Sequence, residues 1–358
     1  MHIPDGYLSP ATSATFGAVM VPFWYTAARR VRRIVKSRYV PLVAVGAAFS
    51  FLIMMFNIPI PDGTTAHAVG AVMIAIVLGP WAAVVAVSIA LIIQALFFGD
   101  GGVLAIGANC FNMAVVMPFV GYGVYRLLAR NLSLTSSRRA LAAGVAGFMG
   151  INAAALTAAI EFGLQPTLFH TANGTPLYAP FHLSQTVPAM MLAHLTLAGL
   201  AEFVVTFGVV SYLQRANVPI LRINHKDVPV TDEELERGKP LTWKHALVFF
   251  GALVALTPLG LLASGTAFGE DAPTDLDLSK YHLSAVPEGL QRFSSFWSHT
   301  LLGDYGFSSG EHPVIGYLLS AVVGCIIVTL AIVGIVVLYR ILTRRGGGEG
   351  RDVEEAVT

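Results

Sequence analysis

The sequence predicts an all-α integral membrane protein of about nine transmembrane helices with its amino terminus outside. Three observations carry this. Only 12% of the residues are charged and the mean hydropathy is +0.69, against roughly 25% charged in soluble domains. The apolar residues gather in runs close to the ~20 that a helix needs to cross the hydrocarbon layer. The basic residues alternate between the ends of those runs.

The runs cover 10–28, 40–56, then 65–98, which Gly79-Pro80 divides in two because the residue before a proline avoids the helical region. They continue at 104–128, 140–162 and 185–213. After Gln214 the composition turns polar, with Arg215, Arg222, Lys226, Asp232, Glu233, Glu234, Arg237 and Lys239. Two further runs, 246–264 and 314–342, flank about fifty polar and aromatic residues. The predicted units are a seven-helix bundle at 1–215, a cytoplasmic linker at 216–244, a two-helix unit with a long external loop at 245–343, and a disordered cytoplasmic tail at 344–358. With Met1 outside, the inner segments hold all but Lys280 and Arg292 of the 22 Lys and Arg residues, as the positive-inside rule requires.

Composition also limits function. A net charge of +1 gives no basic surplus for nucleic acid, and Cys110 and Cys325, both in apolar runs, imply no disulfide framework. The chain has no Gly-x-x-x-x-Gly-Lys-Ser/Thr loop for ATP phosphates, no His-Glu-x-x-His zinc motif and no Gly-x-Ser-x-Gly elbow. Any uphill transport would draw on separate ATPases. An enzyme is therefore not expected.

The first six residues, Met-His-Ile-Pro-Asp-Gly, carry no secretory pattern. They place the α-amine of Met1, the backbone nitrogen of His2 and the His2 imidazole in covalent succession, three sides of a square. Square-planar nitrogen suits Ni(II) or Cu(II), with Co(II) a relative. A terminal Met-His is also compatible with a frayed end. His67, at the outer start of the third helix, can supply the fourth nitrogen, or serve as an interfacial polar residue.

Four stretches resemble one family: Met-His-Ile-Pro-Asp-Gly-Tyr-Leu at 1–8, Asp-Gly-Thr-Thr-Ala-His at 62–67, Gln-Ala-Leu-Phe-Phe-Gly-Asp-Gly-Gly at 94–102 and Gly-Ala-Asn-Cys-Phe-Asn-Met at 107–113. They are similar to the CbiM/NikM proteins, the substrate-binding (S) components of energy-coupling-factor cobalt and nickel transporters, over about residues 1–215. The resemblance implies an ion held by the nitrogens of Met1, His2 and His67, with the terminus threaded into the protein. It implies partners too: a transmembrane coupling (T) subunit and two cytoplasmic ATPase subunits in a prokaryotic plasma membrane, besides membrane lipid. No resident cofactor is implied; Ni(II) or Co(II) is cargo, and the wording after His2 is nearer the nickel branch. Residues 285–291, Ala-Val-Pro-Glu-Gly-Leu-Gln, resemble the PDGLE motif of CbiN-like accessory proteins, with Glu288 and Gln291 departing from it.

Several polar residues have two readings. Asp5 and Asp62 can fix an imidazole through its free N–H or cap their own turns. Gln94, Asn109 and Asn112 can join helices or lock the terminus. His194 and Glu202 can relay protons, as an ion-coupled permease working alone would need, or face other helices. A membrane metalloenzyme would need a catalytic pair that the sequence does not offer. His170 and His182, in the loop before the seventh helix, can form a capture site or be ordinary solvated histidines, and His282, His299 and His312 read as loop histidines.

Overall fold

The computed structural model describes residues 1–35, 40–60, 65–236, 243–263 and 265–345. Asp62 and most of the tail called disordered, from residue 346 on, lie outside the described residues, as do residues 237–242 of the linker.

The bundle begins with α1 (Pro10–Val35) and α2 (Val40–Met54), followed by a two-residue antiparallel pair, β1 (Ile58–Pro59) and β2 (Thr65–Ala66). The predicted third helix, from residue 65, is shorter than expected: α3 runs only Ala71–Leu78, and every residue in it is buried. Eight residues rise about 12 Å, less than half the hydrocarbon thickness. The cause is local. Gly70 (φ 73°) and Gly79 (φ 94°) bound the segment in conformations that side chains other than glycine rarely adopt. Residues 67–70 therefore enter the bundle as irregular chain, which membrane depth tolerates only where protein satisfies the backbone.

Pro80 opens α4 (Pro80–Phe98), whose last turn widens to π-helical at Gln94–Phe98. The next helix, α5 (Ile106–Leu128), has a π-helical turn at Phe111–Val116. Then come α6 (Ser137–Leu168) and α7 (Leu183–Ala216), the latter with a π turn at His194–Ala198. His182 caps α7, its side chain and that of Gln185 exchanging bonds with each other's backbone. Sequence periodicity does not reveal π turns, which often mark functional positions.

Short helices α8 (Val218–Arg222) and α9 (Asp232–Glu236) lie in the linker. The accessory unit starts with α10 (Trp243–Leu256), extended by a 3₁₀ segment to Leu262. Its loop carries α11 (Glu288–Phe293), and α12 (Pro313–Arg345) closes the described chain. Among the described residues, six helices are long and apolar enough to cross a membrane: α4, α5, α6, α7, α10 with its extension, and α12. The count of nine thus includes α1, the 15-residue α2 and the half-length α3.

Helices α5, α6 and α7 pack side by side around α3. Gly121 and Gly150 leave room for Val72 of α3, the close approach that small residues allow between membrane helices. Accessory helix α12 lies along α2, where Gly324 accommodates the ring of Phe51. Leu247, Val248 and Leu256 of α10 and Ile326 and Leu330 of α12 are exposed, an apolar exterior fit for lipid.

Candidate metal centre

The amino terminus is threaded into the bundle rather than frayed. Ile3 anchors it. The Ile3 N–H donates to Asn109 Oδ1 at 2.8 Å, while Asn109 Nδ2 (3.1 Å) and the Gly102 N–H (2.8 Å) donate to the Ile3 carbonyl. Asp5 accepts the N–H groups of Val103 (3.1 Å) and Leu104 (2.7 Å), bracing the loop before α5. Burial pushes the Asp5 carboxyl up, and these bonds oppose the shift. Asp5 thus holds backbone, not an imidazole. Gly6 turns the chain at φ 90°, where an added Cβ would sit 2.7 Å from the carbonyl oxygen of Leu290.

This path buries Met1, His2 and His67 together. His2 is 2% exposed and His67 6%, and their rings stack with centroids 5.0 Å apart. His67 Nδ1 lies 3.1 Å from the Ala68 carbonyl, so the proton belongs on Nδ1 and the Nε2 lone pair is free. Nε2 of both rings is buried without a partner, an arrangement that normally needs explaining.

The other nitrogens are engaged by carboxylates. The Met1 amine meets Glu270 Oε1 at 2.8 Å, and His2 Nδ1 lies 3.0 Å from Asp100 Oδ1. A small chelate ring through the His2 imidazole needs Nδ1, so the ring must turn from Asp100 to close it. Asp100 is itself held: the Tyr305 hydroxyl donates to Oδ2 at 2.6 Å and Gln94 Nε2 at 3.2 Å, while Gln94 Nε2 also donates to Tyr305 Oη at 2.8 Å. Burial pushes the Asp100 carboxyl up, but His2 and Tyr305 outweigh it and leave it well below the usual carboxylate range.

Gln94 is thus one residue removed from His2, and Asn109 clamps the terminus. Asn112 does neither: it donates to Glu161 Oε2 at 2.9 Å. Deeper in the bundle, Glu202 accepts the N–H groups of Val69 (2.8 Å) and Gly70 (3.0 Å), and His194 Nδ1 lies 2.7 Å from the Met190 carbonyl. These two contacts serve the entry to α3 and the helix itself. His282, His299 and His312 are exposed. Asp100, Glu270 and Tyr305 were not singled out by sequence reasoning; Asp100 lay inside the quoted Gly-Asp-Gly-Gly stretch, but the other two carried no local signal.

The accessory loop also docks onto backbone carbonyls. The N–H groups of Gly289 and Leu290 donate to the Leu177 carbonyl (2.8 and 3.2 Å), those of Leu301 and Leu302 to that of Phe97 (2.8 and 3.1 Å), and Trp297 Nε1 to that of Leu96 (2.8 Å).

Fold and chemistry together describe a multi-pass membrane protein for nickel or cobalt transport. The chain belongs to the CbiM family, the cobalt uptake substrate-specific transmembrane region, whose model matches residues 2–220, and a PDGLE domain follows at 243–341. It is 49% identical to the fused nickel transport protein NikMN of Rhodobacter capsulatus, over 97% of this chain and 100% of that one. It is 35% identical to the cobalt transport protein CbiM of Geobacter sulfurreducens over 62% of this chain and 61% of that one. A crystal structure of a truncated transition metal transporter matches with TM-score 0.56 and 59% identity, over 60% of this chain and 98% of that one.

Proposed function

We propose that the chain is the substrate-capture component of an ATP-driven, energy-coupling-factor importer of Ni(II) or Co(II), and that Met1, His2 and His67 hold the ion. The observation that carries the reading is the buried, stacked pair of His2 and His67 beside the Met1 amine, with the His67 Nε2 left unpartnered. An incoming ion exchanges its water for the amine, the His2 backbone nitrogen, the His2 imidazole once it turns from Asp100, and His67 Nε2. Donors of this kind bind only when deprotonated, so acid weakens capture.

In this reading nine segments cross a prokaryotic plasma membrane with Met1 outside, and a coupling subunit with two ATPases tips the loaded protein to release the ion inward. The alternative permease working alone would draw on His194 and Glu202, but Glu202 is already committed to Val69 and Gly70. Titration of the purified chain with Ni(II) and Co(II), beside His2→Ala and a form extended before Met1, tests the site. Both changes should abolish tight binding; affinity unchanged by the extension would rule out the terminal amine. Uptake should also require the added ATPase subunits.

A further inference from the structure

We propose that Glu270, carried in by the accessory loop, is a counter-charge of the metal site and, with Asp100, offsets the positive charge that the ligands leave on the bound ion. The inference rests on the ligand assignment just given. Its starting point is a mismatch of charge: amine and imidazoles ligate as neutral groups and the deprotonated His2 amide cancels only one charge, so the ion leaves positive charge unbalanced among ligands nearly inaccessible to water. Buried charge is costly unless opposite charge lies close by.

Two carboxylates meet that need, each one hydrogen bond from a different ligand nitrogen. Asp100 is 3.0 Å from His2 Nδ1 and Glu270 is 2.8 Å from the Met1 nitrogen. In the present state Glu270 neutralises the terminal ammonium. When the amine turns to the ion, the ion replaces the ammonium as the positive group opposite Glu270. Nitrogen donors select among transition metals; the carboxylate pair adds selection for the second positive charge.

Glu270 is pinned to the same segment that carries the ligands. Its N–H donates to the Ala267 carbonyl at 2.9 Å, and the Tyr7 hydroxyl donates to the carbonyl of neighbouring Asp271 at 2.7 Å. Tyr7 packs on Phe162 and Phe181, and Phe181 on Phe268 of the loop. The carboxylate is therefore placed by packing, not by chance approach of a mobile side chain.

The experiment titrates NiCl₂ into the purified full-length chain, wild type against E270Q and E270D, and records the visible d–d absorption of each loaded form. E270Q should bind about 10- to 100-fold more weakly, the range for residues behind the ligands. Its d–d spectrum should match wild type while the metal-free form stays folded, and E270D should recover part of the affinity. Unchanged affinity in E270Q, or shifted d–d bands that make Glu270 a ligand, would overturn the proposal. His2→Ala separates the two readings: if it abolishes binding while E270Q does not weaken it, only the counter-charge falls. If His2→Ala also binds normally, the site itself is wrong.

Discussion

Glu202, 133 residues away along the chain, accepts the backbone N–H groups of both Val69 and Gly70. These groups belong to the start of a half-length helix and have no turn before them to bond. One side chain from α7 thus makes an irregular entry tolerable at membrane depth. Glu202→Ala should leave both donors unsatisfied and destabilise the protein by on the order of 3 kcal/mol. Glu202→Gln, which keeps one acceptor, should cost less. Thermal unfolding in detergent gives the ranking, and equal melting points for all three proteins would contradict this role.

Asn109 and Ile3 form a two-way clamp on one residue's backbone. Asn109→Leu should retain every proposed ligand and still lower Ni(II) affinity about tenfold or more, as loss of an orienting group does. Calorimetry reads the affinity. A value within twofold of wild type would mean that the Gly102 contact alone fixes the terminus.

Gly289 has Tyr178 and the Leu177 carbonyl where a Cβ would go. Gly289→Val should lift α11 from the bundle and expose the loop to protease, while α10 and α12 stay in place. Limited proteolysis of the intact chain should show faster cleavage between residues 265 and 312 than in wild type; an unchanged pattern would mean that the loop docks without this contact.

His225, on the linker, is buried against Tyr125 and Arg139. Burial, reinforced by the Arg139 charge, pushes its imidazole down to about 4 from 6.5. The unfolded chain therefore binds the proton more readily than the folded one. Stability is complete above pH 6.5 and falls as pH drops toward 4, by on the order of 1 to 3 kcal/mol. Melting temperature against pH should show this slope, and His225→Gln should flatten it.

The sequence was most legible where one physical rule dominates. Apolar runs and basic residues at alternate ends outline the long helices, and the order of donors at Met1-His2 suggests the chelate. It was misleading at residues 65–70, where composition stays apolar while the backbone does not stay helical. Periodicity cannot see a glycine forced to φ 73° or a carboxylate waiting on another helix. Glu270 and Tyr305 were invisible for a related reason. They reach the terminus across 269 and, through Asp100, more than 200 positions of chain, and a loop without repeat pattern gives no sign of where it will land.

The docking of the loop on Phe97 and Leu177, with Gly324 of α12 against Phe51, has a consequence for how the chain is joined. The accessory unit grips the bundle through its loop and along α2. Covalent continuity between the two units raises their local concentration, and these contacts lie outside the linker. The same assembly should therefore form from two separate polypeptides divided after Glu236, beyond the linker residues that pack on the bundle.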